Sequence, residues 1–196
     1  KALTEELEKI NVSLVAGETA ELPAIYTQDE WDVAGFCIGT LKQRIPIETI
    51  KEGDIIVGIP ASGFHSNGWS LIRQILKKEN IDLNSLPFDL LTGTKIYSDV
   101  SIVFNLVKGI AHVTGGGLSR ALRRVLRDNG YNLTIELPEY MKWILSYITF
   151  DEALKTFNMG YGMILVTSIE NVEEVVAKTN GKIIGNVSST NNIVVQ

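Results

Sequence analysis

Apolar positions change their spacing repeatedly along this chain, and each change marks an element. Leu3, Leu7 and Ile10 recur at helical spacing among Glu5, Glu6, Glu8 and Lys9, which predicts an amphipathic helix over residues 1–10. Residues 12–16 read as a short strand, and 32–41, with several β-formers around an apolar centre, as a second. Pro46 and Gly53 mark 42–54 as a linker, after which the continuous apolar run at 55–59 predicts a buried strand. Leu71, Ile72, Ile75 and Leu76 form one side of a helix over 69–78. Residues 84–94 read as loop, 97–107 as a helix and 118–127 as another. Strands at 132–137 and 163–167, a helix at 172–178 and strands at 182–187 and 193–195 complete the chain. The alternation is irregular, so the expected fold class is α+β, with helices packed on a mixed sheet.

Two of the connections carry unusual chemistry. The first reads Ala61-Ser62-Gly63-Phe64-His65-Ser66-Asn67-Gly68 and the second Ala111-His112-Val113-Thr114-Gly115-Gly116-Gly117. Between them they hold both histidines of the chain, and each runs into a predicted helix. A helix start offers unpaired N–H groups and partial positive charge, which suit a phosphate. His65 is the candidate for proton transfer, because imidazole titrates near neutral pH. Ser66, Asn67, Gly68, Thr114, Gly115, Gly116 and Gly117 are candidates for phosphate or substrate contact. Capping of the following helix by Ser66 or Asn67 is the plainer reading of those two side chains.

Composition narrows the setting. A chain of 196 residues holds one ordinary domain or one domain and part of another, and a net charge of −5 argues against broad neutralisation of nucleic acid. Cys37 is the sole cysteine, so no internal disulfide forms and a reducing cytoplasm is expected; its apolar neighbours read it as a buried packing thiol. No apolar run approaches the length of a membrane span, and no membrane partner is expected. The chain opens on Lys1 and directly on structure, which reads as a piece of a longer protein.

Three further features stand beside the turns. Glu18 and Glu21 frame a turn that could hold Mg²⁺, or could be a solvated acidic turn. Arg120, Arg123, Arg124 and Arg127 form a stripe opposite Leu118, Leu122, Val125 and Leu126, the ordinary reading being a solvated helix face. Residues 157–163 read Phe-Asn-Met-Gly-Tyr-Gly-Met, with Asn158 a candidate substrate contact.

Together these segments resemble the aminoimidazole ribonucleotide synthetase family, the phosphoribosylformylglycinamidine cyclo-ligases. The family's Leu-Val-Gly-Gly-Glu-Thr-Ala-Glu-Met-Pro is LVAGETAELP at 14–23, and its Asp-Val-Ala-Gly-Phe is 32–36. Its Ser-Gly-x-His-Ser-Asn-Gly-x-Ser-Leu is 62–71, its His-x-Thr-Gly-Gly-Gly is 112–117, and its Phe-Asn-x-Gly-x-Gly-Met is 157–163. The chain departs from the pattern after the triple glycine, where Ser119-Arg120-Ala121-Leu122-Arg123 replaces Glu-Asn-x-Pro-Arg, and at Gly93-Thr94-Lys95, which replaces Pro-Thr-Arg.

The resemblance implies that 1–44 is the end of an N-terminal α+β domain for nucleotide binding and dimerisation, and 45–196 a C-terminal α/β domain. It implies ATP-dependent closure of formylglycinamidine ribonucleotide to aminoimidazole ribonucleotide by a cytoplasmic homodimer using Mg²⁺. The family's Asp-Gly-Val-Gly-Thr-Lys segment does not occur in this sequence, so the chain by itself is expected to be inactive. Relatives of the same architecture remain alternatives: formylglycinamidine ribonucleotide synthetase, selenophosphate synthetase, thiamine-monophosphate kinase, or a non-catalytic nucleotide-binding paralogue. The loops LVAGETAELP and FNMGYGM favour the cyclo-ligase.

Overall fold

The computed structural model describes residues 1–27 and 29–196 and divides into two compact units, Lys1–Arg44 and Ile45–Gln196. In the first unit, α1 (Ala2–Lys9) forms where the spacing places it. The two strands expected at 12–16 and 32–41 do not form among the described residues. A strand needs a neighbour to take its backbone hydrogen bonds, and the described residues of this unit supply none. The apolar side chains of both segments are consequently uncovered, Val15 and Phe36 at 91% exposure. Cys37 is exposed for the same reason, a correction to its reading as a buried thiol.

The second unit is built on six strands in the order β2-β4-β1-β5-β3-β6. They are β1 (Ile55–Pro60), β2 (Val107–His112), β3 (Gly130–Ile135), β4 (Tyr161–Thr167), β5 (Lys182–Ser188) and β6 (Asn191–Val195). The β3–β6 pair is parallel and the others are antiparallel, so the sheet is mixed as expected. All seven residues of β4 are buried, because helices cover both faces and leave no side to face water.

One face packs against α2 (Trp69–Lys78), α3 (Gly117–Leu126), α4 (Glu139–Leu145) and α5 (Phe150–Thr156) around Ile56, Phe64, Ile72, Leu118, Met141 and Phe157. The other packs Val57, Ile59 and Leu165 against α6 (Val172–Thr179) and the 3-10 turns at Ser98–Val103. The helix expected at 97–107 is thus replaced by 3-10 turns and the start of β2. Asp54, 3% exposed, clips the approach to β1 onto β2 through a 2.6 Å ion pair with Lys108.

The topology decides where the two histidine turns go. β4 runs antiparallel to both β1 and β2, so those two strands are parallel with β4 between them. Their C-terminal ends, and the turns that follow, leave the sheet at the same end, roughly 10 Å apart at two strand spacings.

Candidate functional site

Tyr97 joins the two turns. Its ring centroid lies 6.1 Å from that of His65 and 5.6 Å from that of His112, and its phenol donates to the Pro60 carbonyl at 3.3 Å. Gly162, at the start of β4, makes the floor: a Cβ there would stand 1.8 Å from the Tyr97 oxygen and 2.7 Å from His65 Cε1. Burial pushes the Tyr97 phenol up to about 12, so it stays protonated. Lys95 Nζ lies 5.4 Å from the centre of its ring.

His65 is 4% exposed and has the left-handed φ of 59°. Its Nε2 accepts from the Ser62 amide at 3.2 Å, which places the proton on Nδ1. That Nδ1 is buried without a hydrogen-bond partner among the described residues. Buried donors are nearly always paired, so this N–H stands out as one that can still donate. Burial, followed by the charge of His112, holds the His65 pKa below its ordinary 6.5, and burial followed by Arg124 does the same for His112. Sequence reasoning gives His65 a positive charge below about pH 6.5 if its pKa is unshifted; in the structure burial moves the uptake of that charge to lower pH.

These shifts fix a pH dependence. The unfolded chain takes up protons at the ordinary value, whereas the folded chain resists until lower pH. Stability is therefore full above pH 6.5 and declines as the pH falls through the lowered values. Urea melts at pH 7.5 and 5.5 are expected to show this loss, and His65→Asn, which tolerates the left-handed backbone, should reduce it. Equal stability at both pH values would contradict the assignment.

The remaining turn residues are placed unequally. Neither Ser66 nor Asn67 caps α2; the residue before the helix is Gly68, at φ 77°, with no side-chain cap. Ser66 is exposed, its Oγ 3.3 Å from Thr94 Oγ1. Ser62 Oγ donates to the Gly93 carbonyl at 2.7 Å and accepts from the Lys95 amide at 3.1 Å, so the departing segment 93–95 forms the rim of the first turn. In the second turn Gly115 is exposed and Thr114 and Gly116 half-buried. Gly117 is buried, and its amide already donates to the Thr114 carbonyl at 3.0 Å. That amide is not free for a phosphate, a correction to its reading as a contact.

Asn158 is also reassigned. It is 2% exposed, its Nδ2 donates to the Gly63 carbonyl at 2.7 Å, and its Oδ1 accepts from the Tyr140 hydroxyl and the Gly160 amide at 3.0 and 2.9 Å. It holds the first turn from beneath. Arg124, read as part of a solvated face, donates to the His112 carbonyl at 2.6 Å and steadies the second turn. The stripe of arginines was its only signal in the sequence; nothing there singled out Tyr97.

Glu18 and Glu21 lie in the first unit, both exposed on irregular backbone. Among the described residues no group of three or more His, Cys, Asp or Glu side chains could hold a metal ion. The pair does not by itself fit a Mg²⁺ site.

Residues 51–196 match the family of the AIR synthase related protein, C-terminal domain. The chain belongs to this family. It is 40% identical over 190 residues to the phosphoribosylformylglycinamidine cyclo-ligase of Clostridium perfringens strain 13, covering 89% of this chain and 56% of that protein. It is 39% identical over 189 residues to the trifunctional purine biosynthetic protein adenosine-3 of Homo sapiens, covering 85% of this chain and 19% of that protein. The chain thus spans about half the length of the bacterial relative and less of the human one. Among solved structures, E. coli HypE, a hydrogenase maturation protein, superposes with a TM-score of 0.56 at 16% identity over 79% of this chain and 49% of HypE. That likeness concerns the fold alone, and it agrees with the α+β layers of this AIR synthase related domain. No helix among the described residues is long and apolar enough to cross a membrane.

Proposed function

We propose that this chain is the C-terminal part of a cyclo-ligase that closes formylglycinamidine ribonucleotide to aminoimidazole ribonucleotide in the cytoplasm. The observation that carries this reading is the meeting of the two family-matched turns, His65 and His112 included, on either side of Tyr97 at one end of the sheet. In the reaction the formamide oxygen takes the γ-phosphoryl group of ATP, releasing ADP. The amidine nitrogen then attacks the formyl carbon, the carbon–oxygen bond to phosphate breaks, and the nitrogen gives up its proton as the ring closes.

The chain's own contribution is to bind and orient. Ser66, Asn67 and Thr114 offer neutral side-chain donors, and Gly68, Gly115 and Gly116 offer backbone amides to a phosphorylated substrate; the missing Cβ leaves open space at Gly115, while at Gly68 and Gly116 it makes room for Phe157 and Arg120. Neutral His65, with Nδ1–H unpartnered, is placed to donate to a substrate oxygen or to relay a proton. Gly117 and Asn158 act behind the surface. ATP and Mg²⁺ belong to the reading through the family, and no step is assigned to Glu18 or Glu21. The exposed apolar residues of Lys1–Arg44 are proposed to be covered in a homodimer.

The test uses the full gene product that carries this chain. It is expected to release ADP only when given formylglycinamidine ribonucleotide, and light scattering should read a dimer. Ser66→Asp places a like charge beside the substrate phosphate without touching the core, so KM should rise at least about tenfold with Tm unchanged. Absence of substrate-dependent ADP release would remove the cyclo-ligase reading.

A further inference from the structure

Four of the six arginines in this acidic chain fall between positions 120 and 127. The structure divides them into two pairs with different surroundings. The Arg120 side chain lies against Gly116, where an added Cβ would meet its Cδ at 2.4 Å, and Arg124 holds the His112 carbonyl. Those two serve the turn at the start of α3. Arg123, within the helix, and Arg127, just past its end, line a separate cavity of about 340 Å³. No residue of either histidine turn lines it.

This cavity is walled by three segments: one side of α3 from Ser119 onward, the turn into β3, and the connection between β5 and β6. Besides the two guanidinium groups it presents Ser119, the half-buried Tyr131, Ser189 and Asn191, all able to donate hydrogen bonds. Among the described residues neither guanidinium has a carboxylate within 4.0 Å. Asp128 is the only carboxylate on the wall.

A cation near a helix C-terminus offsets the helix dipole, which accounts for one arginine there. It does not account for a second arginine, four uncharged donors and a concave wall in a chain of net charge −5. We propose that this cavity binds the phosphate group of a small phosphorylated metabolite, at a site apart from the two histidine turns. Two guanidinium forks match the oxygens of a phosphate monoester, and their two full charges exceed the half-charge of the helix end. The volume lies at the low end of ligand pockets, which fits a sugar phosphate or a nucleoside monophosphate and not a folded partner.

Calorimetric titration of the full gene product in 150 mM NaCl would use inorganic phosphate, ribose 5-phosphate and adenosine monophosphate in turn. Saturable binding of at least one monoester is expected, tighter than that of inorganic phosphate. Arg123→Ala and Arg127→Ala should each weaken it at least about tenfold, as loss of a charge-assisted contact implies. Asp128→Asn should strengthen it, and Ser66→Asp should leave it unchanged. The proposal fails if no monoester binds at this salt, if the arginine variants bind normally, or if only Ser66→Asp weakens binding. It fails equally if a polyglutamate peptide binds where no monoester does, which would make the cavity a protein-docking site. Unaltered melting curves for the exposed arginine variants would assign any loss to the site.

Discussion

Gly117→Ala is expected to lower the unfolding free energy by about 3 kcal/mol, although it adds a single methyl group. Gly117 has φ +63°, a conformation that costs an L-residue roughly 1–2 kcal/mol. Its Cβ would stand 2.5 Å from the Leu154 carbonyl oxygen and 2.7 Å from that of Phe157. Both are backbone atoms, and the Phe157 oxygen also accepts from the Leu118 amide at 3.0 Å, so neither can swing aside as a side chain would. Forced overpacking of this kind adds roughly 1–3 kcal/mol. Against a total stability of about 5–15 kcal/mol, Tm should fall by roughly 6–12 °C. Gly115→Ala is the control: an added Cβ there meets nothing within 4 Å. Differential scanning calorimetry of both variants decides the matter, and equal melting temperatures would refute the close packing described.

The glycine triplet shows what a sequence hides. As a triplet in sequence it reads as a place for an anion, yet the structure gives its members different surroundings. Gly115 faces open space, Gly116 makes room for the Arg120 side chain, and Gly117 lets α3 approach the last turn of α5 and Phe157 just beyond it. Only the distances separate these reasons, because a missing side chain looks the same in all three. Asn158 misled in the opposite direction. A lone polar residue in an apolar segment invites a ligand, but its partners lie on Gly63, Tyr140 and Gly160.

The elements legible in advance are those with long, regular patterns, such as α2, whose Trp69–Lys78 span coincides with the spacing. α4 and α5 have seven residues each, too short to establish a helical period by themselves. β2 carries Lys108, Gly109 and Ala111, residue types depleted in strands. Gly109 is nevertheless required, since a Cβ there would meet Val125 of α3 at 2.5 Å. Residues 97–103 misled because Tyr97, Val100 and Val103 are three apart, the period of a 3-10 helix and close enough to an α-helix to be taken for one. Tyr97 was lost to the site by that reading. In residues 1–44 the strand pattern is present without the neighbour that would make it a strand.

Asn158→Leu is expected to cost at least about 3 kcal/mol and to impair the histidine turns together with the fold. Leucine keeps much of the volume but leaves the Gly63 carbonyl, the Gly160 amide and the Tyr140 hydroxyl without their partner. Each unsatisfied buried group costs roughly 1–3 kcal/mol. The damage is directional. Gly63 precedes Phe64, whose ring is 1% exposed and packs 4.8 Å from Tyr140 and 5.2 Å from Phe157 between ring centroids. Release of Gly63 frees the backbone that carries His65. Tyr140→Phe removes one partner only and should cost about 1 kcal/mol. The double variant should then be less destabilised than the sum of the single ones, by about 0.5–3 kcal/mol, because both remove one shared bond. Denaturant melts of the four proteins measure this coupling. The imidazole resonances of the Leu variant should also move toward their ordinary titration as the turn opens to water. Additive costs with unchanged histidine titration would mean that Asn158 fills space beneath the turn without holding it.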